Sequence, residues 1–285
     1  MSTTAPSTVG APPRDAITRD YLMCRPTHFT VAYRINPWMH PQQPTDTALA
    51  VSQWQALHDL YESLGHRIEL IDPIPGLPDM VYSANGGFTL DGLAYTARFA
   101  HAERQPEGPA YAEWFRARGF RVHEAREVNE GEGDFLLVGD VILAGTGFRT
   151  DPASHAELAG VTGREVVTLR LIDPRFYHLD TAIAVLDPTG AEANIAYLPE
   201  AFDDASRREL QRRYPDAVEV GAADAEWLGL NAISNGRDVV IAEKATGFAA
   251  SLTERGYTPI GTDLSELLRG GGGVKCCTLE LRDAA

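Results

Sequence analysis

The chain has 285 residues, 44% of them hydrophobic and 23% charged, which is enough apolar material for the core of one large domain or two small ones. Its 40 acidic residues against 25 basic ones give a formal net charge of -15, which excludes the basic surface that nucleic acids and anionic membranes attract. This acidity would draw a cationic small molecule, but it also simply keeps a protein soluble. We therefore expect a small-molecule substrate, no nucleic-acid or membrane partner, and leave a homo-oligomer open.

The cysteines and the N-terminal segment indicate the cellular compartment in which the protein is expected. Cys24, Cys276 and Cys277 do not form a disulfide framework, since neighbouring cysteines rarely bridge, so a reducing compartment is expected. Residues 1–20 are rich in Ser, Thr, Pro and Ala but lack the apolar centre of a signal peptide, and no later apolar run reaches transmembrane length. We expect a disordered tail over 1–20, a single domain over 21–285 and a cytoplasmic location.

A β-hairpin followed by an amphipathic helix and a further strand recurs along the chain. The predicted hairpins are FTL with LAYTARF in 85–100, FLLV with VILAG in 134–148, TAIAVL with NIAYLP after His178, and AIS with DVVIA after Asn231. The predicted helices cover 46–64, 108–118, 203–214 and 245–256, each before a short strand: HRIELID, FRVHEA, AVEVG and YTPIG.

The spacing of the repeats predicts a radial array. Their openings lie roughly 45 to 50 residues apart, the length of one supersecondary unit, and a final strand over 274–281 would close the ring. Polar residues at the openings would then converge near one axis, where a site can be built; they are Asn85, Asp134, His178 with Asp180, Asn231 and Cys276. An ordinary mixed α/β domain with chance hairpins is the alternative.

The most informative local segment is the glycine run 270–273, which leads through Val274 and Lys275 to two adjacent thiols. Glycines let a backbone bend sharply or approach a ligand closely. If the thiols lie on a strand, alternation places Cys277 in the core and turns Cys276 toward the site. Two buried structural cysteines are the alternative, because free cysteine is commonly buried.

His178 and Asp180 lie two residues apart, so on a strand their side chains point the same way. Thiolate chemistry needs a proton donor for the leaving amine, and imidazole titrates in the required range. A carboxylate beside it could hold a cationic substrate group. Taken alone, the histidine is equally well a satisfied structural residue.

Alternation also places Glu130, Glu132 and Asp134 on one face, with glycines between them. Three neighbouring acids are unfavourable unless water, a metal ion or another cation lies among them. A solvated acidic turn is the simple alternative. No metal site is expected, because no second histidine lies at ligand spacing.

Taken together and in this order, the motifs resemble those of the guanidino-group-modifying (pentein) superfamily. This superfamily includes arginine deiminase, dimethylarginine dimethylaminohydrolase, amidinotransferases and bacterial arginine dihydrolases. The motifs that carry the resemblance are MCRPTHFTVAYRINPWM at 23–39, LPDMVYSANGG at 77–87, EGEGD at 130–134, HLDT at 178–181 and GGGGVKCCT at 270–278.

The resemblance implies a five-bladed α/β propeller of ββαβ modules with its site on the axis. It implies Cys276 as nucleophile, His178 as acid/base, and Asp180 with an acid of 130–134 as the carboxylates that hold the guanidinium or orient the histidine. In that stretch we favour Glu132 with Asp134 over Glu130. Arg104 and Arg149 resemble the arginines that bind the substrate α-carboxylate, a role suited to their fork geometry.

One departure bears on the substrate. Deiminases and dimethylarginine hydrolases usually carry acids where this chain has Ala84 and Asn85, while Asp79 remains at its matching place. The motif around Asn36 and the SANGG form look closer to arginine dihydrolases, in which both asparagines would belong to the site. An amide can bond to a guanidinium and to a ureido group, so a single enzyme could process citrulline after arginine.

We therefore expect a cofactor-independent hydrolase that converts arginine through a covalent cysteine adduct to citrulline and then to ornithine, ammonia and carbon dioxide. A dimethylarginine hydrolase or deiminase that stops at citrulline is the first alternative. An amidinotransferase and a non-catalytic arginine-binding module are two further alternatives.

Overall fold

Five small β-sheets form the framework of the computed structural model, which describes residues 14–188 and 193–282. The central strand of each sheet has one antiparallel and one parallel neighbour. The strands are β1 (Asp20–Cys24), β2 (Arg67–Ile71), β3 (Gly87–Leu90), β4 (Leu93–Thr96), β5 (Arg121–His123), β6 (Phe135–Val138), β7 (Val141–Thr146), β8 (Glu165–Arg170), β9 (Ile183–Asp187), β10 (Asn194–Tyr197), β11 (Val218–Glu219), β12 (Ile233–Ser234), β13 (Asp238–Ala242), β14 (Thr258–Thr262) and β15 (Leu279–Glu280). All four predicted hairpins are confirmed.

The longer helices connect the parallel strands within each sheet, as a parallel pair requires a crossover. The helices are α1 (Thr47–Ser63), α2 (Glu107–Ala117), α3 (Pro152–Thr162), α4 (Asp204–Arg213), α5 (Ala222–Ala225), α6 (Thr246–Glu254) and α7 (Ser265–Leu268). Each of the five modules therefore contains three strands and one crossover helix. The four predicted helices correspond to α1, α2, α4 and α6.

Helix α3 and the following β8 were not predicted. The Asp151 carboxylate caps the helix by accepting from the Ala153 amide at 2.8 Å, Pro152 occupies the first turn, and Gly163 ends it with φ 68°. These are ordinary start and stop signals, but they enclose a segment with few large apolar residues. Tertiary packing therefore determines this helix more than its own amphipathicity.

The two ends of the described chain meet in one sheet. Strand β15 pairs antiparallel with β1, with Tyr21 opposite Glu280 and Leu22 opposite Leu279. The predicted closing strand is confirmed, although it is shorter than 274–281 because residues 270–278 form turns. The fold is thus the predicted five-bladed α/β propeller, and the alternative of an ordinary mixed domain is wrong.

The core of the first module shows how the helices are held. Trp54, Leu57 and Tyr61 of α1 are fully buried in one apolar cluster with Tyr21 and Met23 of β1. Burial of each such side chain contributes about 1.5 to 3 kcal/mol. The helices are thus fixed to their sheets by apolar packing, and the polar residues at the start of each module can face the axis.

The openings of the modules do converge. A circuit of hydrogen bonds joins Asn85 Nδ2 to Glu130 O (3.2 Å), Leu179 N to Asp134 Oδ1 (3.0 Å), Asn231 Nδ2 to Asp180 O (3.1 Å), Cys276 N to Asn231 Oδ1 (3.0 Å) and Ala84 N to Cys276 O (3.0 Å). We call these residues the axial ring. The ring links each module to the next, so the catalytic candidates share one rigid support.

Residues 1–13 of the predicted tail lie outside the described residues, where the tail stays a prediction, whereas residues 14–20 make defined contacts. Arg14 pairs with Asp187 at 2.6 Å, and the Ile17 amide donates to Asn235 O at 2.9 Å. The boundary predicted at residue 20 is therefore placed too late. Within residues 14–188 and 193–282, no helix combines the length and apolar character needed to cross a bilayer.

Candidate active site

The glycine run forms a tight turn that carries Cys276 to the axis. Gly271 has φ 90°, a conformation that other residues rarely adopt, and a side chain at Gly272 would overlap the ring of Tyr82. The Tyr82 hydroxyl donates to Leu267 O at 2.7 Å, which fixes the ring over the turn. Cys276 is only 2% exposed.

The Cys276 sulfur lies between an amide and a carboxylate. Asn231 Nδ2 donates to Sγ at 3.1 Å, and the thiol donates to Asp180 Oδ2 at 3.3 Å. Burial, and then the negative charge of Asp180, raise the pKa of the thiol well above its usual value. The free site thus holds a protonated thiol, which a cation arriving beside it would convert toward the nucleophilic thiolate.

Asp180 is itself unusual. It is fully buried, and burial raises the pKa of its carboxyl to about 7, although Lys275 acts in the opposite direction. Its Oδ1 atom is buried without a hydrogen-bond partner in the described chain. An acceptor of this kind suits a donor brought by a ligand.

His178 is held by an acid on the neighbouring module. Its Nε2 lies 2.8 Å from Glu130 Oε2, and the same oxygen accepts from Arg149 Nη1 at 2.8 Å. Burial alone would raise the pKa of Glu130, but Arg149 and His178 together lower it far below its usual value. Glu130 therefore stays ionised and can accept a hydrogen bond from His178 Nε2. The Nδ1 atom of His178 is buried and has no partner in the described residues.

Asp134 supports the histidine segment. Its oxygens accept from the Leu179 amide at 3.0 Å and from the Thr150 hydroxyl at 2.6 Å. Burial raises the pKa of this carboxyl to about 6. Both oxygens have a protein partner, which favours a positioning role, and the substrate-binding role of Asp134 stays a prediction.

A second charged group lies beside the axis and contains Arg104. Its guanidinium donates to Asn85 Oδ1 at 2.8 Å, to Glu107 at 3.0 and 2.8 Å, and to Asp79 O at 3.2 Å. Asp79 Oδ2 accepts from the Tyr33 hydroxyl at 2.9 Å, while its Oδ1 is buried without a partner in the described chain. Burial raises the pKa of Asp79, and that of Glu107 to about 7.

Residues 25–46 connect β1 to α1 across the site, and we call this segment the strap. Asn36 Nδ2 donates to Gly270 O at 3.0 Å, and Ile35 O accepts from Arg149 Nη2 at 2.9 Å. Asn36 Oδ1 accepts from the amides of Trp38 and Met39 at 2.9 and 3.2 Å. Asn36 lies at the site, and its role in binding substrate stays a prediction.

These contacts combine a buried thiol, an imidazole supported by an acid, and unpartnered carboxylate oxygens, a set suited to covalent attack on a cationic carbon. A family model described as N,N dimethylarginine dimethylhydrolase, eukaryotic, matches residues 26–283. The chain belongs to this dimethylarginine hydrolase family. It is a pentein-type hydrolase that acts on the carbon–nitrogen bonds of guanidino groups.

The proteins similar to this chain include a dimethylarginine hydrolase and arginine dihydrolases. A Mycobacterium tuberculosis protein named N(G),N(G)-dimethylarginine dimethylaminohydrolase is 54% identical over 97% of this chain and 91% of its own length. The bifunctional arginine dihydrolase/ornithine cyclodeaminase AgrE of Nostoc sp. is 40% identical over 92% of this chain but only 38% of its own length. The substrate-bound N-terminal domain of ArgZ, an arginine dihydrolase of cyanobacteria with its cysteine mutated to serine, has a TM-score of 0.88 at 36% identity, covering 94% of this chain and 100% of that one.

In this dimethylarginine hydrolase family member, Glu132 does not contact His178, and the predicted pairing is wrong. Glu132 pairs with Lys275 Nζ at 2.5 Å and with Arg282, and it accepts from the Glu280 amide at 2.9 Å. The prediction assumed an extended backbone, but Gly131 has φ 55° and begins a 3₁₀ turn. The left-handed residue turns the acids on either side of it toward different partners.

Some site residues were not assigned from the sequence of this family member. The sequence places Asn231 near the axis but assigns it no function. Among the acids of 130–134, it favours Glu132 with Asp134 over Glu130 as the site carboxylates. Glu107 was missed, although its position three residues after Arg104 in a helical start favours an ion pair. The axial placement of Cys276 is confirmed, but a turn and not strand alternation separates it from Cys277.

Proposed function

We propose that the protein is an arginine dihydrolase in which Cys276 attacks the guanidinium carbon. The observation that carries this proposal is that three of the buried side-chain atoms without partners in the described chain belong to the site: Asp79 Oδ1, Asp180 Oδ1 and His178 Nδ1. Buried polar atoms are nearly always hydrogen-bonded in folded proteins, so these atoms call for donors from a ligand. Arginine supplies a planar guanidinium at one end and an ammonium at the other.

In this proposal Asp180 accepts guanidinium N–H groups beside the thiol. The arriving positive charge lowers the pKa of Cys276, His178 accepts the thiol proton, and the thiolate attacks the central carbon. His178 then returns the proton to the departing amine, and Glu130 stabilises the imidazolium between the two steps. A covalent amidino-thioether forms, and water activated by His178 hydrolyses it to a ureido product.

In this proposal Arg104 and Arg149 bind the α-carboxylate at the other end of the substrate. Both are buried, and each donates a hydrogen bond to a residue of the site: Arg104 to Asn85, and Arg149 to Glu130. Asp79 Oδ1 is then an acceptor for the α-ammonium. This assignment uses charged hydrogen bonds, which are worth about 1.5 to 3 kcal/mol each.

The second hydrolysis is supported by Asn85. Its amide is oriented by Arg104 and Glu130 and carries no charge, so the site contains no ionised carboxylate at this position that would need a cation. Neutral citrulline can therefore bind where arginine did, and a second round would release ornithine, ammonia and carbon dioxide. AgrE and ArgZ, which carry dihydrolase names, are similar along most of this chain.

Dimethylarginine hydrolysis is the second candidate, because the Mycobacterium tuberculosis relative is named for it. The chemistry would be the same with a methylated amine as leaving group. The two candidates differ in the fate of citrulline and in the space beside the attacked carbon.

The test is to incubate the protein separately with arginine, monomethylarginine, asymmetric dimethylarginine and citrulline, and to quantify ornithine, citrulline and amines. A dihydrolase consumes both arginine and citrulline and yields ornithine with two ammonia equivalents per arginine. Cys276→Ala is the matched blank, and Cys277→Ser should keep most activity. Turnover of dimethylarginine alone would replace the proposal with the second candidate, and conversion of arginine that ends at citrulline would indicate a deiminase.

A further inference from the structure

Asn231 makes three hydrogen bonds around the nucleophile. Its Oδ1 accepts from the Cys276 amide at 3.0 Å, and its Nδ2 donates both to Asp180 O at 3.1 Å and to Cys276 Sγ at 3.1 Å. The side chain is fully buried, as is the axial ring to which it belongs. All the hydrogen-bonding atoms of this amide are therefore used on two residues of the site.

The orientation of this amide is determined by its partners. A backbone N–H can only donate and a backbone carbonyl can only accept, so Oδ1 must face Cys276 N and Nδ2 must face Asp180 O. The remaining N–H of Nδ2 then has to point at sulfur. Gly273 allows the close approach, because a side chain there would contact Asn231 Oδ1 at 3.0 Å.

We propose that Asn231 is a catalytic residue that stabilises the Cys276 thiolate through its N–H···S hydrogen bond, an inference that rests on the proposed role of Cys276. An ionised acceptor gains more from a donor than a neutral one, so the bond strengthens as the thiol loses its proton. The same bond acts when the covalent intermediate breaks down. There the C–S bond breaks, its electron pair returns to sulfur, and the N–H again faces a thiolate.

The groups that face the thiol from the surrounding elements favour the protonated form. Burial and the negative charges of Asp180 and Cys277 raise the pKa of Cys276, whereas a backbone hydrogen bond from Gly273 lowers it. Asn231 is the side-chain N–H donor to this sulfur in the described residues. Its removal should leave the backbone contact from Gly273 as the remaining hydrogen bond that favours the thiolate.

The test measures the rate at which iodoacetamide alkylates Cys276 in the 285-residue chain as a function of pH, without substrate, with the modified residue identified and quantified by peptide mass spectrometry. Asn231→Ala should raise the apparent pKa of the Cys276 thiol by about one to two units, so that alkylation below this pKa slows by about ten- to a hundredfold. The kcat for arginine should fall by a similar factor, with KM changed much less.

Asn235 offers a matched control in the same module. Its buried amide also makes three hydrogen bonds, to Asp238 Oδ2 at 3.1 Å and from the amides of Arg237 and Asp238 at 3.0 and 2.7 Å, but none to Cys276. Asn235→Ala should lower the melting temperature about as much as Asn231→Ala while leaving the alkylation profile unchanged. A structural role of Asn231 would make the two variants behave alike.

Asn231→Asp provides a second variant if Asn231→Ala does not fold. It keeps an acceptor for the Cys276 amide but replaces the donor with an oxygen, so alkylation should slow further. An unchanged thiol pKa in either variant would overturn the proposal. Failure of both Asn231 variants to fold, while Asn235→Ala folds, would overturn it as well. Alkylation is independent of the substrate. An enzyme that rejects arginine but shows the predicted shift would therefore disprove the dihydrolase and not the role of Asn231.

Discussion

Glu130 and Glu132 are two residues apart and fully buried, yet they serve different groups: Glu130 holds His178 and Arg149, whereas Glu132 holds Lys275 and Arg282. Glu130→Gln should lower kcat by about 10²- to 10⁴-fold, because the imidazolium loses its counter-charge. Glu132→Gln should leave kcat of the folded protein nearly unchanged. It should instead lower the free energy of unfolding by about 3 to 5 kcal/mol, since the buried Lys275 loses its acid and the partly buried Arg282 keeps only Glu280 as an acidic partner.

Steady-state kinetics well below the melting temperature, together with calorimetric unfolding, separates the two effects. Glu130→Gln also leaves Arg149 without its acid, so some loss of stability is expected there too. Equal loss of kcat in both variants at a temperature where both are folded would contradict the assignment of Glu130 to His178.

Arg104 and Arg149 can be tested by removing the substrate group that they are proposed to bind. Arg104→Ala and Arg149→Ala should lower kcat/KM for arginine by a factor equivalent to about 1.5 to 3 kcal/mol. The kcat/KM for agmatine, which has no carboxylate, should fall much less. Arg164→Ala is the control, because its pairs with Asp91 and Asp140 lie on the surface. Similar losses for both substrates would show that the buried arginines act through stability.

The sequence predicts which residues belong to the site better than it predicts which side chains those residues contact. Cys276, His178 and Asp180 were placed at one site from motif order and from the phase of the repeats. The partner of His178 could not be predicted, because it depends on the φ of Gly131, which the sequence does not specify. Glu107 was missed because its function lies in its contact with Arg104 across a helix start.

At the scale of elements, the glycine turn before Cys276 depends on close packing. Gly272→Ala should reduce activity by at least tenfold, because its methyl group would displace the Tyr82 ring or the turn that carries the nucleophile. Gly160→Ala is the matched control: it lies in α3 with nothing near its added methyl, and should stabilise the protein by about 0.5 to 1 kcal/mol. Full activity in Gly272→Ala would show that the turn tolerates movement.

The elements differ in how well local sequence specifies them. The hairpins were predicted because alternation and turn glycines determine them, as for β3–β4 and β6–β7. The turns that open the modules were predicted as strand starts, yet Ser83–Gly86, Gly131–Gly133 and Leu179–Thr181 are 3₁₀ turns. Their geometry follows from hydrogen bonds across the axial ring, which join residues far apart in sequence.

For the whole molecule, four buried carboxyls with raised pKa values make stability depend on pH, and for three of them the pKa lies near neutrality. Burial raises the pKa of Asp180 and Glu107 to about 7 and that of Asp134 to about 6. Between their unfolded values near pH 4 and these folded values, these carboxyls bind more protons in the native protein than in the unfolded chain, so their contribution to the free energy of unfolding should fall as pH rises from about 4 to 7. The lowered pKa values of His66, His101 and His155 act in the opposite direction. Urea unfolding at pH 5, 6 and 7 measures the slope.

Asp180→Asn should flatten this slope, because one of the three groups no longer titrates, and Asp140→Asn at an exposed turn should not. A saturating substrate analogue with a guanidinium should also flatten it in the parent, since a cation at Asp180 favours the ionised carboxylate. The same pH dependence of stability in the parent and in Asp180→Asn would contradict the raised pKa of Asp180.

The pairing of β15 with β1 has a consequence for synthesis of the chain. The first strand is made early, but its antiparallel partner and the nucleophile just before it are among the last described residues to leave the ribosome. Four modules can gather their strands in order, whereas the ring cannot close until residues 279–280 exist. A nascent or prematurely ended chain therefore lacks both closure and its thiol, and catalysis begins only when translation has passed the last module.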